Sequence, residues 1–230
     1  MADPLVLVPG LNCTARLWSH QIVALGGSRA IEVADHRGHN TVSALAFAIL
    51  ADAPPKFALA GLSMGGYVAF EIMRVAPERV TRLALLDTTA KPDSDERLAA
   101  RLAQIDLART GRFGEVPDIQ YPMLVHADRE SDADLKAVVR EMAEETGPEA
   151  FIRQVTAIMG RPDSRPGLGA IGCPTVVLVG EGDRLTPPAE AAEMHAAIRG
   201  SRLVTVPGSG HLSSIEKPEA VAAALAEWLA

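Results

Sequence analysis

The hexapeptide Gly61-Leu62-Ser63-Met64-Gly65-Gly66 sets a serine between an apolar, strand-like run, Phe57-Ala58-Leu59-Ala60, and a stretch in which Val68, Ala69, Ile72, Met73 and Ala76 share one helical face. A serine hydroxyl is a weak nucleophile at its free pKa. A sharp strand-to-helix turn answers this by lifting Oγ clear of the sheet, facing it to a base and aiming backbone N–H groups at its target. Gly61 and Gly65 suit such a turn, because side chains there would crowd it. G-x-S-x-G also recurs by chance, so its meaning depends on partners elsewhere in the chain.

A nucleophilic serine requires a histidine to take its proton and a carboxylate to orient that histidine, both on loops at strand ends. Val176-Val177-Leu178-Val179-Gly180-Glu181-Gly182-Asp183 supplies the carboxylate just past a strand, and Val206-Pro207-Gly208-Ser209-Gly210-His211 supplies the histidine past the next one. The order Ser63, Asp183, His211 is that of the nucleophile-elbow fold. Asp87, after the strand Leu83–Leu86, competes with Asp183 as orienter, while Glu181 reads as a turn cap. His20, His36, His39, His126 and His195 have no partner pattern and read as structural or solvent-facing. The oxyanion needs two donors. The N–H of Met64, at the start of the following helix, and that of Leu11, in the loop Pro9-Gly10-Leu11-Asn12, are the candidates. Asn12 and Thr14 are candidate substrate contacts, and Cys13 reads as buried packing rather than a nucleophile.

The elements that must position these groups alternate along the chain. Strands are expected at Leu5–Val8, Ala30–Ala34, Lys56–Ala60, Leu83–Leu86, Thr175–Val179 and Leu203–Val206. Helices are expected at Thr14–Leu25, Thr41–Leu50, Tyr67–Ala76, Ala189–Ile198 and Pro218–Leu229. Such alternation implies βαβ crossovers and a parallel sheet covered on both faces, with functional loops at the carboxyl ends of its strands. From Ala90 to Gly169 it stops: three helical patterns follow, Asp95–Thr110, Asp132–Glu145 and Glu149–Met159, with Gly111, Gly147 and Gly160 as stops. The expected division is a core of residues 1–89 and 170–230 with a helical cap inserted at 90–169.

The chain has 230 residues and a net charge of −7 with no clustered Lys/Arg stripe, which argues against nucleic acid and anionic membrane surfaces. Two cysteines, Cys13 and Cys173, form neither a disulfide framework nor a metal set. No apolar run approaches the roughly 20 residues of a membrane span, and the N-terminus enters a strand without a signal-like segment, so a cytoplasmic location is expected.

On Gly61-Leu62-Ser63-Met64-Gly65, Gly182-Asp183 and Gly210-His211, the chain resembles the α/β-hydrolase fold enzymes, in particular the small esterases and enol-lactone hydrolases with a helical cap. Asp35-His36-Arg37-Gly38-His39 is similar to the structural Asp-x-Arg-Gly-His segment of that family, and Trp18 to a tryptophan packed beneath the oxyanion loop. Pro9-Gly10 stands where the family often has His-Gly. The resemblance implies a mostly parallel six-stranded sheet, rather than eight strands, because the chain starts at the family's third. It also implies hydrolysis of a small-molecule carboxylic ester, lactone or thioester through an acyl-enzyme, with Ser63, His211 and Asp183 as triad and Leu11 and Met64 as oxyanion donors. No metal and no organic cofactor are implied. Two rivals use the same fold: a carbon–carbon bond hydrolase or lyase with this triad, and a non-catalytic ligand receptor. The inward faces of the cap, rich in Leu, Ile, Val and Met, imply a small or medium apolar acyl group. Arg97, Arg101, Arg109 and Arg112 read as a solvated helix face, because most charge on amphipathic helices is.

Overall fold

Short runs rich in Val, Leu and Ala, buried on both faces in the central strands and only partly buried in the edge strands, form a six-stranded parallel sheet in the computed structural model, which describes residues 2–230. The strands are β1 (Leu5–Val8), β2 (Ile31–Val33), β3 (Phe57–Leu62), β4 (Val80–Leu86), β5 (Thr175–Gly180) and β6 (Arg202–Val206), in the order β2-β1-β3-β4-β5-β6. β1, β3 and β5 are buried along their whole length, as central strands of a parallel sheet must be. Alternate side chains serve opposite faces. Val6, Val8, Leu59, Leu85 and Val177 pack with helices α2 (Val42–Asp52), α3 (Met64–Val75) and α8 (Pro188–Ala197). Leu5, Leu7, Ala58, Ala60 and Leu178 pack with α1 (Ser19–Leu25) and α10 (Pro218–Leu229).

The chain leaves β1 toward β2 on one side and returns to place β3 on the other. That reversal opens a crevice outside the carboxyl ends of β1 and β3, where the loops that follow the two strands diverge. Both candidate oxyanion donors and Ser63 lie there.

Between β4 and β5 run α4 (Asp95–Arg109), α5 (Val116–Leu124), α6 (Ala133–Thr146) and α7 (Pro148–Met159). Ile105, Ala108, Val116, Phe151 and Val155 give this insertion a small core of its own. α4 and α6 are capped by the side chains of Ser94 and Asp132, which accept the Arg97 and Leu135 N–H groups. Gly147, at φ 75°, ends α6 in a conformation that costs glycine little.

Three expectations change. Thr14–Leu25 is a 3₁₀ turn, Ala15–Trp18, followed by the shorter α1; the Thr14 hydroxyl accepts from Arg16 N and so caps the turn. α5 has no counterpart in the sequence reading, because Pro117 and Pro122 look like breakers; Pro117 falls in the first turn, where its missing N–H has no helical partner to lose. The short α9 (Ser213–Glu216), directly after His211, was also not anticipated. Among the described residues no helix is long and apolar enough to cross a membrane.

Candidate active site

Ser63 sits between the last residue of β3 and the first of α3 at φ 53°, ψ −113°, a backbone that L-residues seldom adopt. The turn is held on both sides: Ser63 N donates to Leu86 O at 2.9 Å, and Thr88 Oγ1 donates to Ser63 O at 2.8 Å. It is tight enough that a Cβ at Gly61 would run into the backbone of Gly65, and one at Gly65 into the carbonyl of Val8. Asn12 (φ 60°) and Asp87 (φ 44°) are the other non-glycine residues at positive φ among the described residues, so all three follow neighbouring central strands at the same end of the sheet.

His211 Nε2 lies 2.8 Å from Ser63 Oγ, and His211 Nδ1 lies 2.8 Å from Asp183 Oδ2. An ionised Asp183 accepts from Nδ1–H, which leaves the Nε2 lone pair facing the serine hydroxyl. Asp183 is held by Leu185 N at 2.8 Å, Thr186 N at 2.9 Å and Thr186 Oγ1 at 2.7 Å. Burial works to raise its carboxyl, but the facing His211 and these donors outweigh it and hold the pKa below the usual carboxylate value. Burial likewise works against a charged His211, yet Asp183, with smaller contributions from Asp87 and Glu216, lifts the imidazole above 6.5.

Asp87 is fully buried and does not reach the imidazole; it accepts from Gly180 N at 2.8 Å and is hydrogen-bonded to Ser213 Oγ. Burial first, and the charge of Asp183 second, push its pKa up to about 8. Cys13 is buried in the same region, and burial raises its thiol to about 12, which removes the thiolate a nucleophile needs. Glu181 accepts the Gly208 N–H, as a turn cap would.

Met64 N is the first N–H of α3 and so has no helical carbonyl to donate to. The loop that carries Leu11 is clamped from behind: Gln154 Oε1 on α7 accepts Asn12 N at 3.0 Å, and His36 Nε2 lies 2.8 Å from Gly10 O. Gln154 is a site residue that the sequence reading missed. It shares a face with Phe151, Val155 and Ile158, and a buried amide on so apolar a stripe was the signal available. Glu216 was missed for want of α9; its carboxylate accepts Gly210 N at 2.9 Å and His126 N at 2.8 Å, which fixes the loop that carries His211.

A cavity of about 370 Å³ opens onto Ser63 and His211. Leu11, Asn12 and Cys13 border it on the sheet side, whereas Thr14 does not. From the insertion, α5 and α6 contribute Ile119, Met123, Val139 and Met142, and α4 contributes Arg97, Arg101 and Gln104. The polar face of α4 therefore turns inward, and Leu102, expected to be inward, is 56% exposed. Arg109 and Arg112 lie outside the lining.

The model of the alpha/beta hydrolase family matches residues 5–224. The chain belongs to this family. This α/β hydrolase superposes with a TM-score of 0.90 on a thermophilic esterase from Thermogutta terrifontis solved with malate bound, at 32% identity over all of this chain and 90% of that one. With the enol-lactonase from Burkholderia xenovorans LB400 the TM-score is 0.89 at 28% identity, over all of this chain and 92% of that one. Among sequence relatives, BpoC of Mycobacterium tuberculosis, provisionally named a non-heme bromoperoxidase, is 27% identical over 99% of this α/β hydrolase and 94% of its own length.

Proposed function

We propose that the protein hydrolyses a carboxylic ester, or the related lactone or thioester, through an acyl-enzyme on Ser63. The reading rests on one observation: a serine on a strained strand-to-helix turn, facing the cavity, joined through His211 to a buried carboxylate by two contacts of 2.8 Å. Its esterase and enol-lactonase relatives carry out reactions of this class by name.

In this reading His211 Nε2 takes the Ser63 proton as Oγ attacks the acyl carbon, and the Leu11 and Met64 N–H groups hold the oxyanion of the tetrahedral intermediate. His211 returns the proton to the departing alkoxide or thiolate. Water then repeats the sequence on the acyl-enzyme, giving up a proton to His211, and the acid leaves with Ser63 Oγ reprotonated. Asp183 keeps Nδ1 protonated and stabilises the imidazolium. No cofactor is needed, since each step moves only a proton and an acyl group. Residues 90–169 act as the cap that closes the cavity over Ser63 and sets substrate choice.

A fluorophosphonate probe with intact-mass detection tests this directly. Wild type should take up one probe per chain and turn over p-nitrophenyl acetate and butyrate. Ser63→Ala should remain folded with neither activity; turnover retained by Ser63→Ala would overturn the mechanism.

A further inference from the structure

The cavity lining is of two kinds. Ile119, Met123, Val139 and Met142 give it an apolar wall; the lining also includes three arginines, Arg97, Arg101 and Arg184, and no Asp or Glu. That is an unusual local balance for a chain of net charge −7.

Two of these arginines are already neutralised. Arg101 is ion-paired with Asp93, and Arg184 with Glu130 at 2.8 Å. Arg97 has no carboxylate partner among the described residues. Its Nη2 donates to Leu185 O at 2.5 Å, which tethers the guanidinium to the loop that carries Asp183, and its other guanidinium N–H groups have no protein acceptor among the described residues. One turn along α4 from Arg101, Gln104 accepts from Gln120 at 3.0 Å, so a donor on Gln104 and an acceptor on Gln120 remain.

We infer that Arg97 is the anion subsite of this cavity and that the substrate is an ester bearing a carboxylate, separated from the scissile carbonyl by a short apolar chain. The inference rests on the hydrolase reading above. A planar guanidinium already held through one donor offers the remaining fork to a carboxylate at little further ordering cost, and the apolar wall accommodates the methylenes between the two ends.

Monomethyl and dimethyl adipate, compared by pH-stat, test it, because they differ in whether the distal group is charged. Wild type should prefer the monoester in kcat/KM by about tenfold or more, the usual scale of a charge-assisted contact. Arg97→Gln should collapse that ratio, and Arg97→Lys should restore part of it. Equal rates for both esters in wild type, or parallel losses for both in Arg97→Gln, would overturn the anion subsite while the hydrolase reading stood. If wild type cleaves neither ester, the hydrolase reading fails for this class, and calorimetry of adipate on Ser63→Ala decides the subsite alone. Adipate binding that disappears in Ser63→Ala/Arg97→Gln supports it, and no binding to Ser63→Ala overturns it.

Discussion

Ser63, Asn12 and Asp87 each hold a left-handed backbone that typically costs on the order of 1–3 kcal/mol, and all three are at the mouths of adjacent strands. Such strain persists only where the surroundings over-determine it, here through Leu86 and Thr88 around Ser63, Gln154 behind Asn12 and Gly180 against Asp87. The two buried aspartates divide sharply in what they touch. Under the proposed mechanism, Asp183→Asn would present a donor or a neutral acceptor to Nδ1 and favour the wrong tautomer, so kcat should fall by about 10⁴-fold, by analogy with the serine proteases. Asp87→Asn leaves the imidazole contact in place and should cost no more than about tenfold on that logic; steady-state kinetics on the pair would reverse the assignment if the losses were interchanged. Because Asp183 raises His211, the acid limb of kcat/KM should fall above pH 6.5, where proton loss frees Nε2 to act as base. A limb at or below the ordinary histidine value would contradict that electrostatic picture.

At the scale of elements, a buried ion cluster ties the start of the insertion to its end, and one cation of the cluster reaches the core. Asp93, with a fully buried side chain, meets Arg101 of α4 and, at 2.8 Å, Arg161 just past α7. Arg161 also lies over the Tyr67 ring of α3 at 4.2 Å and donates to Ile158 O at 2.9 Å. Removing the shared carboxylate strands two cations, one of them almost completely buried. Asp93→Ala should therefore lower stability by about 3–5 kcal/mol in denaturant melts, whereas a loss under 1 kcal/mol would mean the cluster is solvated. The helices of the insertion were legible where apolar spacing was regular, as in α6 and α7. α5 was not, since its two prolines outweigh its apolar residues in any local reading. The inward face of α4 was not legible either: Leu98, Leu102 and Ile105 suggest one face, yet the cavity takes the Arg97, Arg101, Gln104 face, because α7 packs on the Ile105 side.

Across the whole molecule, the titrating groups pull stability in opposite directions at the two ends of the pH range. Asp87 is raised from 3.8 to about 8, so between those values the folded chain holds a proton the unfolded chain has lost. Stability then declines as pH rises through that window, by at most about 1.4 kcal/mol per unit for this one group. His211, also raised, acts in the same sense: its contribution is complete below 6.5 and is lost as pH climbs through the folded value. Asp183 and Asp93 are depressed, so what they add is present above 3.8 and lost as pH falls below it. The thermal midpoint should accordingly peak near pH 5 and fall toward pH 8, and Asp87→Asn should flatten the alkaline decline. An unchanged slope in Asp87→Asn would show that Asp87 is ionised in the folded protein.

The sequence by itself determined the parallel α/β sheet and the order Ser63, Asp183, His211, because strand and helix periodicity and the glycines of a tight turn are local properties. Each candidate group also follows a strand, and strands in such a sheet all end on one side, so their convergence could be anticipated without coordinates. Only the tertiary structure decided that Asp183 rather than Asp87 meets the imidazole, that Gln154 and Glu216 hold the loops of the site, and that Arg97 faces the cavity. Those outcomes depend on distances between residues up to 142 positions apart, such as Asn12 and Gln154. Such distances are set by how whole helices seat against the sheet, where a rotation of one residue step along a helix moves a side chain from solvent to the cavity.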